Sequence, residues 1–142
     1  MKVSDLMTKN VVSISPDEST SLAARLLYRH NIGSLPVCSS DGKLRGILTD
    51  RDIVLRCVAA ENDPEHTPVR EIMSRAPIST SPDDDVRQAA EMMAAHQIRR
   101  LPVTKEGKLV GMLSLGDISR THSYNMEASR ALSEISMNIK KR

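Results

Sequence analysis

The chain contains the same pattern twice, and this duplication limits its fold more than any other feature of the sequence. The segment His30-Asn-Ile-Gly-Ser-Leu-Pro-Val in the first half matches His96-Gln-Ile-Arg-Arg-Leu-Pro-Val in the second half. Matching positions lie 66 residues apart as far as Val37 and Val103, and 65 residues apart beyond that point. The matched pairs, in order, are Met7/Met73, Pro16/Pro82, His30/His96, Pro36/Pro102, Gly42/Gly107, Gly46/Gly111 and Asp52/Asp117. The sequence therefore predicts a tandem duplication of one unit of about 55 residues.

Two helices are predicted in each copy. Ser15-Pro-Asp and Ser81-Pro-Asp each put an N-cap serine before a proline at the first helical position, so the first helix is expected to begin there. Glu18 lies three residues after Ser15 and is expected to complete a capping box. The second helix is expected to begin at Thr49 in the first copy and at Ser114 in the second copy.

Three short strands are predicted in each copy. The first is a β-branched run, at residues 11–14 and 78–80. The other two are apolar runs joined at Asp41-Gly42 or at Glu106-Gly107, as a hairpin requires. Each copy is therefore expected to form a β-α-β-β-α unit of the α+β class. Because a unit of this size buries little apolar surface alone, the two units are expected to pack sheet to sheet.

The duplication also defines the parts of the chain. These are the first unit at residues 1–60, a polar linker with two prolines at 61–68, the second unit at 69–120, and a tail at 121–142. In the tail, Ala128, Leu132, Ile135 and Ile139 recur with the helical period and predict an amphipathic helix. Such a helix covers its own module, joins two copies of the chain, or binds another protein, and the stripe favours none of the three.

Composition excludes several classes of function. Two tyrosines are the only aromatic residues, so stacking on single-stranded nucleic acid is not expected. Residues 1–120 carry equal numbers of basic and acidic side chains, so DNA binding is not expected either. Two cysteines are too few for a disulfide framework or a four-ligand zinc site, and no metal site is expected. No apolar run approaches the ~20 residues that span a membrane, and the N-terminus lacks a secretory signal, so a cytoplasmic protein is expected.

The motif Gly-x-x-[Ser/Thr]-x-x-Asp closes each copy, from Gly46 to Asp52 and from Gly111 to Asp117. Ser/Thr-x-x-Asp is close to a capping box, and one interpretation is that these residues only cap a helix. The other interpretation is that the helix start faces a cleft. Its N–H groups and hydroxyl then attract phosphate, while the carboxylate accepts hydrogen bonds from a ribose diol.

Arg99 and Arg100 form a second candidate feature, because guanidinium groups bind phosphate in a bidentate way. The alternative is that both arginines are solvated surface charges. Gly33 and Ser34 stand at the equivalent positions of the first copy. Two sites built from the duplicated motifs therefore cannot be chemically equal.

Together, these motifs resemble a tandem pair of CBS (cystathionine-β-synthase) domains, the arrangement called a Bateman module, of the stand-alone prokaryotic type. The resemblance covers residues 1–120, and its motifs occur in the same order twice. It implies that the two units associate about a pseudo-twofold axis and form two clefts that bind adenosine-containing ligands. AMP, ADP or ATP is the expected ligand, S-adenosylmethionine and NAD are further candidates, and no cofactor is obligatory.

The resemblance also implies which residues line each cleft. The first cleft is expected to use Thr49, Asp52, Ile78, Thr80, Arg99, Arg100 and Pro102. Here Asp52 holds ribose, Thr49 and the arginines hold phosphate, and Ile78 and Pro102 contact the base. The second cleft is expected to use Ser114, Asp117, Val12, Ile14, Ser34 and Pro36. Because no arginine stands beside Ser34 in the first copy, the first cleft is expected to be occupied preferentially.

The resemblance implies a regulatory, energy-sensing role without enzymatic activity. The bound nucleotide is expected to change how an unidentified partner protein is engaged, and the chain is expected to form a homodimer. The sequence supplies no nucleophile with its base and no pair of catalytic carboxylates, which agrees with a non-enzyme. The alternative is a ligand-independent structural or dimerisation module in which the Ser/Thr-x-x-Asp motifs are only helix caps.

Overall fold

The first residues of each repeat, 1–11 and 69–77, pack on the other repeat, and we call them the leading segments. The structure is a computed structural model that describes residues 1–121 and 125–140. Unit I consists of Met1–Val11, Ile78–Glu106 and Val110–Arg142, and unit II consists of Val12–Pro77 and Gly107–Leu109. Residues 1–11 thus join the second repeat, whereas residues 69–77 join the first.

The described chain contains both helices and short antiparallel strands, and the predicted α+β class is confirmed. The helices are α1 (Val3–Leu6), α2 (Thr20–His30), α3 (Asp50–Ile53), α4 (Val86–His96), α5 (Leu115–Ser119) and α6 (Asn125–Lys140). The strands are β1 (Ser34–Cys38), β2 (Leu44–Thr49), β3 (Ser74–Arg75), β4 (Arg100–Lys105) and β5 (Lys108–Ser114). A π-helical turn, Val54–Val58, follows α3, and a 3₁₀ turn, Val69–Glu71, precedes β3. None of the described helices is long and apolar enough to cross a membrane.

Unit II contains an antiparallel sheet in the order β1-β2-β3. Ser34 pairs with Thr49 at one end of the β1–β2 hairpin, and Ser74 of the leading segment pairs with Ile47 of β2. The buried apolar side chains come from both repeats and are Ile14, Ala23, Leu27, Leu35, Val37, Leu48, Cys57, Val69 and Ile72. The core of unit II is therefore incomplete without the leading segment of the second repeat.

Unit I is built in the same way around β4 and β5. The Val3 amide donates to the Asp84 carbonyl (2.9 Å), and the Thr8 amide donates to the Met112 carbonyl (2.8 Å). The buried apolar side chains include Val3 of the leading segment and are Val3, Val86, Ala89, Ala90, Met93, Leu101, Val103, Leu113, Leu115, Ile118, Ala128, Ala131 and Ile135. The last three belong to α6, so α6 is part of the core of this unit.

The predicted starts of the first helices are wrong by about one turn. Helix α2 begins after Ser19, whose hydroxyl accepts from the Leu22 amide, and α4 begins after Asp85, whose carboxylate accepts from the Arg87 amide. Ser15 and Ser81 instead close local turns, and the predicted capping box with Glu18 does not form. Serine before proline suits a turn as well as a helix cap, and a competing cap lies four residues further on.

The remaining elements follow the prediction more closely. Both hairpins and both second helices form where they were predicted, with Gly42 and Gly107 at φ of 84° and 80° in the turns. The predicted strands at 11–14 and 78–80 are reduced to single parallel bridges, Ile14 with Val37 and Thr80 with Val103. Only one residue of each predicted strand therefore pairs with β1 or β4, and neither run forms a continuous strand.

The buried face of α6 matches the prediction at Ala128 and Ile135 but not at Leu132. Ala128, Ala131 and Ile135 are buried, whereas Leu132 remains 44% exposed. The side chain of Ile139, and residues 141–142, lie outside the described part. The buried stripe therefore follows the spacing i, i+3, i+7, and its two alanines let α6 approach α4 and α5 closely.

The first glycine of each Gly-x-x-[Ser/Thr]-x-x-Asp motif leaves space for the leading segment that packs against it. A Cβ on Gly46 would lie 2.7 Å from both the Met73 Sδ and the Ser74 carbonyl oxygen. A Cβ on Gly111 would lie 2.7 Å from the Met7 Sδ and 2.9 Å from the Thr8 carbonyl oxygen. Because the carbonyl oxygens belong to the backbone, a larger residue requires the whole leading segment to move.

We expect Gly46→Ala to lower the free energy of unfolding by about 1–3 kcal/mol, because the added methyl group overpacks a backbone contact. Denaturant unfolding monitored by circular dichroism measures the change. Gly33→Ala is the matched control, since its Cβ meets nothing closer than 3.8 Å, and its effect should stay within about 0.5 kcal/mol. Equal stabilities of the two variants would contradict the packing argument.

Candidate functional site

The two Ser/Thr-x-x-Asp motifs form capping boxes, as the cap interpretation predicted. In unit II, the Thr49 hydroxyl accepts from the Asp52 amide (3.1 Å), and the Asp52 Oδ2 accepts from the Thr49 amide (2.9 Å). In unit I, Ser114 and Asp117 make the same two bonds, both of 3.0 Å. Each hydroxyl uses a lone pair in the cap and keeps its proton, so capping does not exclude donation to a ligand.

The second carboxylate oxygen differs between the two motifs. Asp117 Oδ1 accepts from Arg120 Nη2 at 2.5 Å, and Arg120 Nε also donates to the Gly116 carbonyl (3.2 Å). Asp52 Oδ1 lies 3.9 Å from Arg56 Nε, which is beyond hydrogen-bond distance. None of the groups that the structure describes donates a hydrogen bond to Asp52 Oδ1. This oxygen of Asp52 is therefore available as an acceptor, whereas both oxygens of Asp117 already accept a hydrogen bond.

Arg56 forms a long ion pair with Asp52 and donates its hydrogen bonds to backbone carbonyls. Its Nη1 donates to the carbonyls of Ile72 (3.2 Å) and Met73 (3.3 Å), which belong to the exchanged leading segment in unit II. The roles of Arg56 and Arg120 were not predicted from the sequence. Their spacing from the aspartates, i+4 and i+3, is that of helical ion pairs and is the signal that could have identified them.

Arg99 and Arg100 line a cavity of about 460 Å³ within unit I. Their companions in its wall are Ser114, Leu115, Gly116 and Ser119, together with Ala128, Ser129 and Leu132 of α6. Both arginines are exposed, and neither makes an ion pair in the part of the chain that the structure describes. The cavity thus combines two guanidinium groups, three hydroxyl groups and an apolar wall, and no acidic side chain is found among its described lining residues. Its α6 residues were not predicted as site residues.

The backbone fixes the arginines beside the closing motif. The Leu115 amide donates to the Arg99 carbonyl (2.8 Å), and in unit II the Asp50 amide donates to the Gly33 carbonyl (3.1 Å). The two units therefore share one backbone arrangement, in which the residue before the strand meets the start of the second helix. Only unit I carries cationic side chains at that place.

Several other predicted site residues are integrated into the protein interior. Pro36 and Pro102 are buried, and their carbonyls accept from the amides of Ile14 (3.1 Å) and Thr80 (3.0 Å). Ile14 and Thr80 are themselves buried, whereas Val12 and Ile78 are half-buried and available for partial contact. The expected contact between Pro102 and the base of a nucleotide therefore requires the base to reach into this interior.

Two hydroxyl groups among the predicted site residues have different surroundings. Thr80 Oγ1 donates to Asp84 Oδ2 (2.8 Å), so this hydroxyl already serves the turn that precedes α4. The Ser81 amide bonds the same oxygen (2.9 Å), and together these donors lower the pKa of the Asp84 carboxyl from its ordinary value. Ser34 Oγ, in contrast, is buried and has no hydrogen-bond partner among the described residues. Of the two, only Ser34 has an unused polar atom.

The predicted clefts combine residues from both units, so their assembly stays a prediction. Within unit I, Arg99 and Arg100 lie with Ser114, although the prediction divides them between two clefts. Within unit II, Ser34 lies opposite Thr49 on neighbouring strands. No group of three His, Cys, Asp or Glu side chains that could hold a metal ion occurs among the described residues.

Comparison with known proteins identifies the family. The family model described as "CBS domain" matches residues 3–58 and 69–123. The CBS domain-containing protein YhcV of Bacillus subtilis is 43% identical over 134 residues, which cover 94% of each chain. A CBS domain protein from Pyrobaculum aerophilum, solved with AMP, has 28% identity and a TM-score of 0.79 over 91% of this chain and 98% of its own. A CBS domain pair solved with 5-methylthioadenosine and S-adenosyl-L-methionine has 31% identity and a TM-score of 0.76 over 87% and 96%.

We expect Thr80→Val to raise the pKa of Asp84 toward its ordinary value, because one of its two donors is lost while the Ser81 amide remains. Carboxyl carbon NMR titration measures this shift. In the wild type, the stabilisation from Asp84 is present above the ordinary pKa of about 3.9 and is lost as the pH falls through the lowered folded-state value. Thr104→Val is the matched control, since Thr104 donates to Ser79 and not to Asp84. An unshifted Asp84 in Thr80→Val would show that the hydroxyl is not committed to this bond.

Proposed function

Because the chain belongs to the CBS domain family, we propose that it is a cytoplasmic regulatory module that binds an adenine nucleotide and alters the engagement of a partner protein. The observation that carries this proposal is that the chain has the chemical groups a nucleotide needs: an available carboxylate oxygen on Asp52 in unit II, and two arginines without an ion pair among the described residues, Arg99 and Arg100, in unit I. The structures solved with AMP or with adenosyl compounds support the same ligand class. The role is regulatory, not enzymatic.

Asp52 is the group that we assign to ribose. Its Oδ2 is fixed by the Thr49 amide, so the orientation of the carboxylate is set before any ligand arrives. Its Oδ1 has two lone pairs for the two hydroxyls of a ribose, and its side chain is only 13% exposed, which strengthens such bonds. The Thr49 hydroxyl keeps its proton for a phosphate oxygen.

The arginines favour a phosphorylated ligand over the other adenosyl compounds. Two guanidinium groups in a cavity with no acidic side chain among its described lining residues attract phosphate strongly. AMP, ADP and ATP carry phosphate, whereas S-adenosylmethionine carries a positive sulfonium and no phosphate. NAD has phosphate groups, but it is also much larger than a mononucleotide. We therefore rank AMP, ADP and ATP before S-adenosylmethionine and NAD.

The alternative function is that of a ligand-independent structural module. The observation in its favour is that both Ser/Thr-x-x-Asp motifs already form complete capping boxes, which is a sufficient structural reason for these residues. The two proposals differ in one respect that can be measured. Only the nucleotide proposal requires the negative charge of Asp52, since the oxygen of an amide side chain at this N3 position can accept the same hydrogen bond from the Thr49 amide.

We expect the wild-type chain, stripped of nucleotide, to bind AMP with a stoichiometry close to one. In Asp52→Asn the affinity should fall about tenfold or more, because hydrogen bonds to a charged acceptor are lost while the cap is kept. Asp117→Asn is the matched control, and it should change the affinity by less than about threefold. Isothermal titration calorimetry with AMP and with adenosine measures both effects, and adenosine should bind more weakly because it lacks the phosphate.

Absence of AMP, ADP and ATP binding in the wild type would support the structural alternative. Equal losses in Asp52→Asn and Asp117→Asn would instead contradict the preference for Asp52. Circular dichroism of each variant verifies that the helices are intact, so that lost binding is not lost folding.

We also propose that the chain forms a homodimer through the apolar side chains on the π-helical turn. Val54, Leu55 and Val58 are all exposed there, immediately after α3. Adjacent exposed apolar side chains are typical of an association surface. This location would connect assembly with the helix that carries Asp52.

We expect multi-angle light scattering to give twice the chain mass for the wild type. Val58→Lys should shift the population toward the monomer, because it places a charge within the proposed apolar contact. Ser40→Lys, in an exposed turn, serves as the control and should remain dimeric. A monomeric wild type at all concentrations would refute this part of the proposal.

A further inference from the structure

We propose that Arg120 closes the Asp117 carboxylate to ribose, so that an ion pair inside unit I weakens the second nucleotide site. This inference rests on the proposed function and adds a residue to which neither the motif nor the family resemblance assigns a role. It differs from the missing arginine beside Ser34, because it concerns the ribose acceptor and not the phosphate. Arg120 acts here as a specificity-determining residue.

The geometry of Asp117 supports this assignment. The Ser114 amide donates to Oδ2 and Arg120 Nη2 donates to Oδ1, so both carboxylate oxygens have a donor within unit I. Arg120 is attached at a second point, because its Nε donates to the Gly116 carbonyl. A ribose hydroxyl that donates to Oδ1 must therefore displace the guanidinium group or share this oxygen with it, and two hydrogen bonds hold the guanidinium group in place.

Unit II provides an internal comparison. Asp52 also has an arginine on the following turn, but Arg56 belongs to the π-helical turn and donates to the carbonyls of Ile72 and Met73. Arg120 instead follows α5 directly as its C-terminal cap residue, three positions after Asp117. In unit I the second carboxylate oxygen therefore accepts a hydrogen bond from an arginine, whereas in unit II it only forms a 3.9 Å ion pair with one.

The size of the effect follows from the exposure of the arginine. The side chain of Arg120 is 75% exposed, and exposed ion pairs contribute little, so displacement reduces the affinity at this site by no more than about fivefold. This cost adds to the effect of the missing arginine beside Ser34, so that both features weaken the second site. It also predicts that removal of the guanidinium group makes the second site tighter, which is the opposite of what a ligand-binding arginine would do.

The experiment uses the full chain with Asp52→Asn, so that calorimetry with AMP reports the Asp117 site. Adding Arg120→Ala, or Arg120→Gln if the alanine variant is unstable, should tighten AMP binding about two- to fivefold. The gain should disappear with 2′,3′-dideoxyadenosine monophosphate, which has no ribose diol. Arg130→Ala removes an exposed arginine from α6 of the same unit and is the charge-matched control, for which no gain is expected.

The outcomes separate this inference from the proposed function. Unchanged or weaker AMP binding in the Arg120 variants overturns the inference, as does an equal gain with the dideoxy nucleotide. A wild type that binds AMP through Asp52 while the Arg120 variants show no gain leaves the proposed function intact and overturns the inference alone. A wild type that binds no adenine nucleotide overturns the proposed function, and the inference is then overturned with it.

Discussion

The contact between a strand glycine and the leading segment of the other repeat is the constraint on which the structure depends. At Gly46 and Gly111 the strand presents bare backbone, and a methionine and a carbonyl of the exchanged segment fill the space that a side chain would need. That contact completes both cores, because Val3 is buried in unit I while Val69 and Ile72 are buried in unit II. In unit II the same segment also supplies the carbonyls that accept hydrogen bonds from Arg56, the arginine paired with Asp52, so its packing positions a charge beside the candidate ribose group.

The same few atoms serve as helix caps and as candidate ligand groups. A capping box uses one lone pair of the hydroxyl and one oxygen of the carboxylate, which fixes both groups at low cost. The hydroxyl proton and the other carboxylate oxygen are left over, and these are the atoms that a nucleotide would contact. A structural role and a binding role are therefore compatible at Thr49 and Asp52. The ion pair at Asp117 shows how one neighbouring residue changes that balance.

Much of the fold could be predicted because its signals are local. The Gly42 and Gly107 turns and the caps at Thr49 and Ser114 are each determined within a few residues, and all form where the sequence indicates. The helix starts at Ser15 and Ser81 were wrong because Ser-Pro-Asp also forms turns, and local sequence does not decide between two nearby caps. The exchange of leading segments could not be predicted, since a repeated pattern fits its own copy and the other copy equally well. The different positions of Arg56 and Arg120 depend on helix geometry beyond the motif, which periodicity does not reveal.

The exchanged segments also determine how the chain would respond to being cut. A protease that nicks the linker at 61–68 would produce two fragments, each holding a segment that belongs to the core of a unit built mainly by the other fragment. Separation of the two fragments would expose Val3, Val69 and the apolar side chains packed against them to water, which is unfavourable. The nicked molecule would therefore stay together as a non-covalent pair. Because each unit contains residues of both repeats, the linker is needed to bring the two halves together but not to hold them together afterwards.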